Sequence, residues 1–399
     1  MAECGLHYAW KNGLYDPLSL TTGDGELIQV VDPGLENTDA GPDFFNAKIR
    51  IGDVMLAGNV EVHEKASDWY RHGHHKDRSY DTVILHVVGE SDAVVRETTG
   101  KVIPQFELKL SQKLQEGISW LLSRETPIPC LGLLEEIEGT ELRQWMEQLR
   151  QERLRRKVED VMKLLSQYKD DWNELFYILL TRNFGFGTNS DAFELLAKSI
   201  PYRYILRHRG DVRQLEALFL GQAGMAGEGG EYRFLRHKFA LVPLEGSLFK
   251  NLRMRPGNFP RHRLLQLASL WTKYDTLFSR MLDATTPQEM KRCLSTDPPL
   301  GEGSLNNLLI NTVVPVLMAY GSVRARELYR QRGLALLTAL PAEKNKIVTM
   351  FTQAGLQVHN AGDTQALVQL KKDYCDAKKC LYCKIGVYLS LPNARTCRQ

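Results

Sequence analysis

The sequence predicts an α+β protein: a small α/β domain over residues 1–112, a linker over 113–139 and a large, mainly α-helical domain over 140–399. Three observations lead there. Short β-prone runs punctuated by turn pairs fill the first 110 residues, whereas apolar residues recur at three- and four-residue steps after 140. Pro127, Pro129 and Gly132 interrupt the chain between the two patterns. The charge also divides there. Residues 1–110 hold 10 Lys+Arg against 18 Asp+Glu, a net −8, so the remainder carries +11 within the chain's total of +3. At roughly 100–200 residues per domain, 399 residues call for two or three domains.

The elements follow in order. Glu26–Val31 is a β-prone run stopped by Asp32-Pro-Gly34. Lys48–Ile51 and Val54–Ala57 flank Gly52-Asp53, the signature of a hairpin. Asn59–His63 alternates polar and apolar, and Thr82–Val88 is apolar almost throughout, as a strand buried on both faces would be. Ala93–Arg96 and Val102–Leu110 flank Thr99-Gly100 as a second hairpin. The polar stretch between His63 and Thr82 reads as a short helix or ordered loop. Beyond the linker, Leu142, Trp145, Met146, Leu149, Leu154, Val158, Met162 and Leu165 form one stripe on a long helix. Further helices are expected over 171–182, 191–199, 211–220, 261–282, 304–320, 322–338 and 343–354.

Composition excludes some classes. At 43% hydrophobic and 25% charged residues the chain is an ordinary globular one, not globally disordered. Its longest apolar run, Leu308–Tyr320, contains Asn311 and Pro315 and falls short of the ~20 residues a membrane-spanning helix needs. The first residues lack a basic segment followed by an apolar one, so no signal peptide is expected. Seven cysteines without an export signal are expected to be thiols or metal ligands, in a cytoplasmic protein.

Candidate chemistry concentrates in the acidic first domain. Five of the ten histidines (His63, His72, His74, His75 and His86) fall within 24 residues, among Glu61, Glu64, Asp68, Asp77 and Asp81. Histidine and carboxylate are the usual ligands of divalent metals and the usual acid–base groups, although His72, His74 and His75 read equally as a solvated polar loop. Gly41-Pro-Asp43 is followed by Glu61-Val-His63, and strand alternation puts Asn59, Glu61 and His63 on one face with Val60 and Val62 on the core side. Two carboxylates suit a hard cation such as Mg²⁺ or Mn²⁺. The alternative has Asp43 capping a turn and Glu61 paired with a Lys or Arg.

At the other end, Cys375-x4-Cys380-x2-Cys383 with Cys397 offers four thiolates, enough for tetrahedral Zn²⁺ or an iron–sulfur cluster; the alternative is free cysteines in a helix. Two basic patches stand in the second domain. Arg150–Lys157 carries interleaved glutamates and reads as a solvated helix face. Arg253, Arg255, Arg261 and Arg263 surround Pro256–Pro260 with no acid among them, a stiff loop suited to the phosphates of a nucleic acid. Phe184-Gly-Phe-Gly187 lacks the Lys-Ser/Thr of a phosphate loop and reads as a helix-terminating turn.

The turn-anchored Asp43 followed by Glu61-x-His63 on the next strand resembles the PD-(D/E)XK nuclease superfamily. The resemblance implies a restriction-endonuclease-like α/β domain in which Asp43 and Glu61 bind Mg²⁺ or Mn²⁺, with Glu26 a further acidic ligand. It also implies that His63, standing where lysine is usual, orients or deprotonates water. More broadly, His7-Tyr-Ala-Trp10, the block Asn37–Lys48, Gly58–His63 with Ser67–Lys76, Arg255–Pro260 and the cysteine tail resemble a bacterial family of undefined function, domain-of-unknown-function family 2851. The functional expectation is therefore a metal-dependent nuclease. The alternative is a non-catalytic nucleic-acid-binding or scaffold protein with a degenerate nuclease fold, His63 marking the loss.

Overall fold

The computed structural model describes residues 3–390 other than 12, 16–19, 38, 111, 113–114, 117–127, 129, 138, 227–229 and 253. The chain divides into two compact units, residues 1–145 with 372–399, and residues 146–371.

The first unit is built on a mixed sheet. Its strands are β1 (Ile28–Asp32), β2 (Leu35–Glu36), β3 (Phe44–Ile51), β4 (Val54–Lys65), β5 (Val83–Glu90) and β6 (Gln105–Glu107). The order is β1-β3-β4-β5-β6, with β2 also paired to β3. β1, β3 and β4 are antiparallel, and β5 and β6 continue the sheet in parallel. The Gly52-Asp53 turn joins β3 to β4 with Ile51 opposite Val54 and Gly52 at φ +55, as the turn pair predicts. The expected second hairpin shrinks to one bridge, Arg96 to Val102, before β6.

A parallel connection needs a crossover, because the chain must return to the starting end of the sheet. Residues 66–82 supply it through a one-turn helix α2 (Asp68–Arg71) and the 3₁₀ turns His74–Lys76 and Arg78–Tyr80. That crossover lies over β4. Val60, Glu61, Val62 and His63 are consequently all buried: the valines in the main core with Phe44, Leu85, Val87 and Phe106, the acid and histidine under the crossover. Helix α1 (Glu3–Lys11) was not legible as a helix beforehand. It packs Leu6, Tyr8, Ala9 and Trp10 into the same core, to which Leu381 of the chain's last segment also belongs.

The second unit is helical. The helix Trp172–Phe184 is capped by Asp171, whose carboxylate accepts the Asn173 and Glu174 amides, and buries Leu175, Phe176, Ile178 and Leu179. The single helix expected over 261–282 is two, Pro260–Trp271 and Leu277–Asp283. The one expected over 304–320 contains a π-helical turn at Leu309–Val313, next to Pro315, which has no amide hydrogen to continue the regular ladder. Tyr202–His208, Gly230–Phe239, Pro287–Cys293 and Ala361–Gln369 are further helices that the periodicity did not reveal. No described helix is long and apolar enough to cross a membrane.

Candidate metal centre

Asp43 ends the turn before β3, and Glu61 and His63 lie on β4. The antiparallel pairing of Phe44 with Val60 brings Asp43 beside Glu61, and two hydrogen bonds lock them: the Asp43 amide donates to Glu61 Oε2 at 3.2 Å, and the Val62 amide to Asp43 Oδ2 at 2.9 Å. A β-bulge follows at once, with Asn46 at φ +57, which resets the alternation so that Phe44, Ala47, Ile49 and Ile51 all face the core.

Above this pair the crossover delivers two more histidines. Donor atoms of His63, His72 and His74 all lie within 4.8 Å of one another. Glu61 Oε1 is 3.5 Å from His63 Nε2 and 3.2 Å from His74 Nε2. His63 Nε2 is 3.1 Å from His72 Nδ1, and its Nδ1 is 2.8 Å from His86 Nε2 on β5. The rings are held by packing: Tyr80 stacks on His74 at 3.8 Å, and Trp69 meets the edges of His74 and His86. On the other side His7 Nε2 of α1 lies 3.4 Å from Asp43 Oδ2.

Among the described residues, the ion-pair partners of Asp43 and Glu61 are histidines. Burial pushes Glu61 up to about 8, and burial together with Glu61 pushes Asp43 up to about 7. Burial, reinforced by neighbouring imidazoles, drives His63 down to about 2 and His86 down to about 3, and it lowers His74. Near neutral pH His63 and His86 are therefore neutral, the form in which a ring nitrogen is a ligand.

Two tautomer chains satisfy the His63–His86 contact. If His63 Nδ1–H donates to His86, His63 Nε2 turns a lone pair toward His72, His74 and Glu61; a cation at that point selects this arrangement. If His86 donates instead, His63 Nε2–H points at Glu61 and the cluster closes on itself.

The sequence-predicted residues thus fare differently. Asp43, Glu61 and His63 are brought together, and His72 and His74 join them, whereas His75 faces Tyr70 instead. The concentration of histidines was the sequence signal for the latter pair; only the crossover decides which rings turn inward. Glu26 is not brought to the site: it is exposed beside Gly52, at the opposite end of β3 from Asp43. His86, counted in the histidine cluster, and His7 were not assigned to the site, because the β-rich reading of the first 110 residues offered no helix for His7 and no neighbour for His86.

Cys375 and Cys383 are buried and Cys380 half-buried, and among the described residues they belong to no group of three or more ligating side chains close enough to share a metal. Burial raises Cys380 and Cys383, away from the thiolate a metal needs. Cys397 lies outside the described residues, as does Arg253. Of the remaining arginines, Arg261 is exposed and donates to the Met225 carbonyl, and Arg255 is exposed. Arg263 is buried, its guanidinium donating to Gln266, Asn258 and Ser304, so it is not part of a surface platform.

A family model described as "Protein of unknown function (DUF2851)" matches residues 3–346. No curated protein and no solved structure matches the chain.

Proposed function

This chain belongs to the DUF2851 family, and we propose that it is a metal-dependent nuclease whose site is formed by Asp43, Glu61, His63, His72 and His74. The observation that carries this reading is the placement of two carboxylates, Glu61 buried and Asp43 half-buried, locked to each other across β3 and β4, directly beneath three imidazoles that share one small space. The topology adds support. An antiparallel β1-β3-β4 group followed by a crossover to a parallel β5, with Asp43 at the head of one strand and Glu61-x-His63 on the next, follows the layout that the PD-(D/E)XK resemblance implies.

The donor set fits a divalent cation. His63, His72, His74 and Glu61 would hold it, and three nitrogen donors favour a borderline ion such as Zn²⁺ or Fe²⁺, with the harder Mn²⁺ next, over Mg²⁺, which prefers oxygen alone. A cation bound there would polarise a phosphoryl oxygen and lower the pKa of bound water. The chain's own groups do the rest. Asp43, with Oδ2 held by the Val62 amide, keeps its other oxygen free as an acceptor. His86 holds the orientation of His63, and Tyr80 and Trp69 fix His74. A nucleic acid is the substrate class that the resemblance and the net +11 beyond residue 110 favour. Zinc or an iron–sulfur cluster on the C-terminal cysteines would be a separate, structural group.

The test is cleavage of labelled DNA and RNA, single- and double-stranded, with Mn²⁺, Mg²⁺ or Zn²⁺ added to chelator-treated protein. Metal-dependent cleavage lost in Asp43→Ala and in Glu61→Ala supports the reading. Nucleic-acid binding without cleavage under any metal points to the non-catalytic alternative, and neither binding nor cleavage rejects both.

A further inference from the structure

The second unit contains a cavity of about 500 Å³ whose described lining residues include two arginines, Arg255 and Arg263, and no carboxylate. Its volume falls in the range of small-molecule sites. It forms where the Phe184–Gly187 turn closes the helix Trp172–Phe184 against the segment Arg255–Pro260 and the start of the helix Glu302–Leu308. Gly185 is required there: a Cβ would lie 2.4 Å from the Asn189 carbonyl carbon. The turn that ends a helix in the sequence is thus also a wall of the cavity.

Arg263 is only 6% exposed, and its partners are all neutral: Gln266 at 2.9 Å, Asn258 at 2.6 Å, Ser304 at 3.1 Å and the Phe186 ring, 4.4 Å from the guanidinium carbon. Its Nε–H has no partner, and among the described residues it has no ion pair. Glu302, beside the cavity-lining Gly303, is committed to Lys291. A buried guanidinium without a counter-ion is costly unless something supplies the missing negative charge. Neutral amide and hydroxyl partners fix its orientation but leave the charge unbalanced. Arg255 adds a second positive charge to the same cavity from an exposed position.

We propose that this cavity binds a small phosphate monoester, whose two negative charges match Arg255 and Arg263 and whose organic part occupies the remaining volume. A nucleic-acid backbone carries one charge per phosphate and needs an open track, so it matches this enclosure less well. The site is independent of the metal centre.

The experiment uses the full chain in the presence of a chelator, with inorganic phosphate as the probe, and follows the melting temperature and the dissociation constant by calorimetry. A saturable rise in melting temperature with phosphate, absent in chloride at matched ionic strength, is expected. Arg255→Ala should weaken the affinity at least tenfold while leaving the unliganded melting temperature unchanged, and Asp43→Ala should leave the phosphate response intact even if it abolishes cleavage. An equal response to chloride overturns the proposal, as does full affinity in Arg255→Ala. Arg255-dependent binding of a single-stranded oligonucleotide that phosphate does not displace assigns the cavity to nucleic acid and overturns it as well.

Discussion

Each unit draws ionisable groups out of water, carboxylic acids in one and a guanidinium in the other. In the sheet unit, Asp43 and Glu61 lie among imidazoles with no described Lys or Arg paired to them. In the helical unit, Arg263 lies among amides and a hydroxyl with no described acid paired to it. The two proposals complete the first arrangement with a cation and the second with an anion. Their construction differs too. The acids are set by strand register and backbone amides, each of which engages one carboxylate oxygen, whereas most of the Arg263 fork is engaged by side chains from three separate segments. A site built on register tolerates side-chain change at its margins, and a site built on side chains does not.

The largest expected effect breaks the sheet-unit site. His63→Ala with His74→Ala removes two of the three imidazoles, so Mn²⁺ content by elemental analysis should fall from about one per chain to near zero and cleavage by more than about a hundredfold. Cys380→Ser should leave that Mn²⁺ content unchanged; a parallel loss would mean that the cysteines hold the ion. Next comes Trp69→Ala. Trp69 is fully buried against His74 and His86 and donates to the Arg96 carbonyl, so its loss should cost about 3–5 kcal/mol in denaturant unfolding. An effect below about 1 kcal/mol would show that the crossover is held by something else.

His86→Phe keeps the volume and removes the partner of His63 Nδ1. Metal affinity should fall about 10–100-fold with little change in fold, measured by competition with a chromogenic chelator.

A subtler effect is pH-dependent. In metal-stripped protein the native state keeps protons on Asp43 and Glu61, up to about 7 and about 8, that the unfolded chain has already released, so stability falls as pH rises from about 4 to 8. His63 and His86, lowered to about 2 and about 3, act in the other direction, and their contribution is lost as pH falls below about 6.5. The melting temperature should therefore peak near pH 6, decline toward pH 8, and be restored at pH 8 by Mn²⁺. Glu61→Gln should flatten the alkaline side; an unchanged slope would exclude Glu61 as its source. The smallest effect is Arg255→Ala without ligand, within about 0.5 kcal/mol of the parent, because the residue is exposed.

Much of the sheet-unit site was legible from local pattern. Two-residue alternation put Glu61 and His63 on one face, and the Gly52-Asp53 turn set the β3–β4 pairing that the bulge between Phe44 and Ala47 then shifts to bring Asp43 beside Glu61. Pattern also found the major helices, because a stripe of Leu, Trp and Met at helical spacing needs only its own segment to be read. Other features depended on partners distant in sequence. Nothing within residues 63–82 distinguishes His74, whose ring joins His63 and His72, from His75, whose ring faces Tyr70, since the choice is made where Tyr80 and Trp69 close over β4.

Likewise the spacing of Arg253, Arg255, Arg261 and Arg263 announced positive charge but not its exposure. Asn258 is close in sequence, yet Ser304 lies forty-one residues away, and only their convergence turns one arginine of a basic loop into a buried cation. The sequence by itself determined the elements and the chemical character of each segment, because backbone hydrogen bonding and amphipathic period are local properties. Tertiary structure decided which charges lose their water, because desolvation depends on what the rest of the chain brings to cover them.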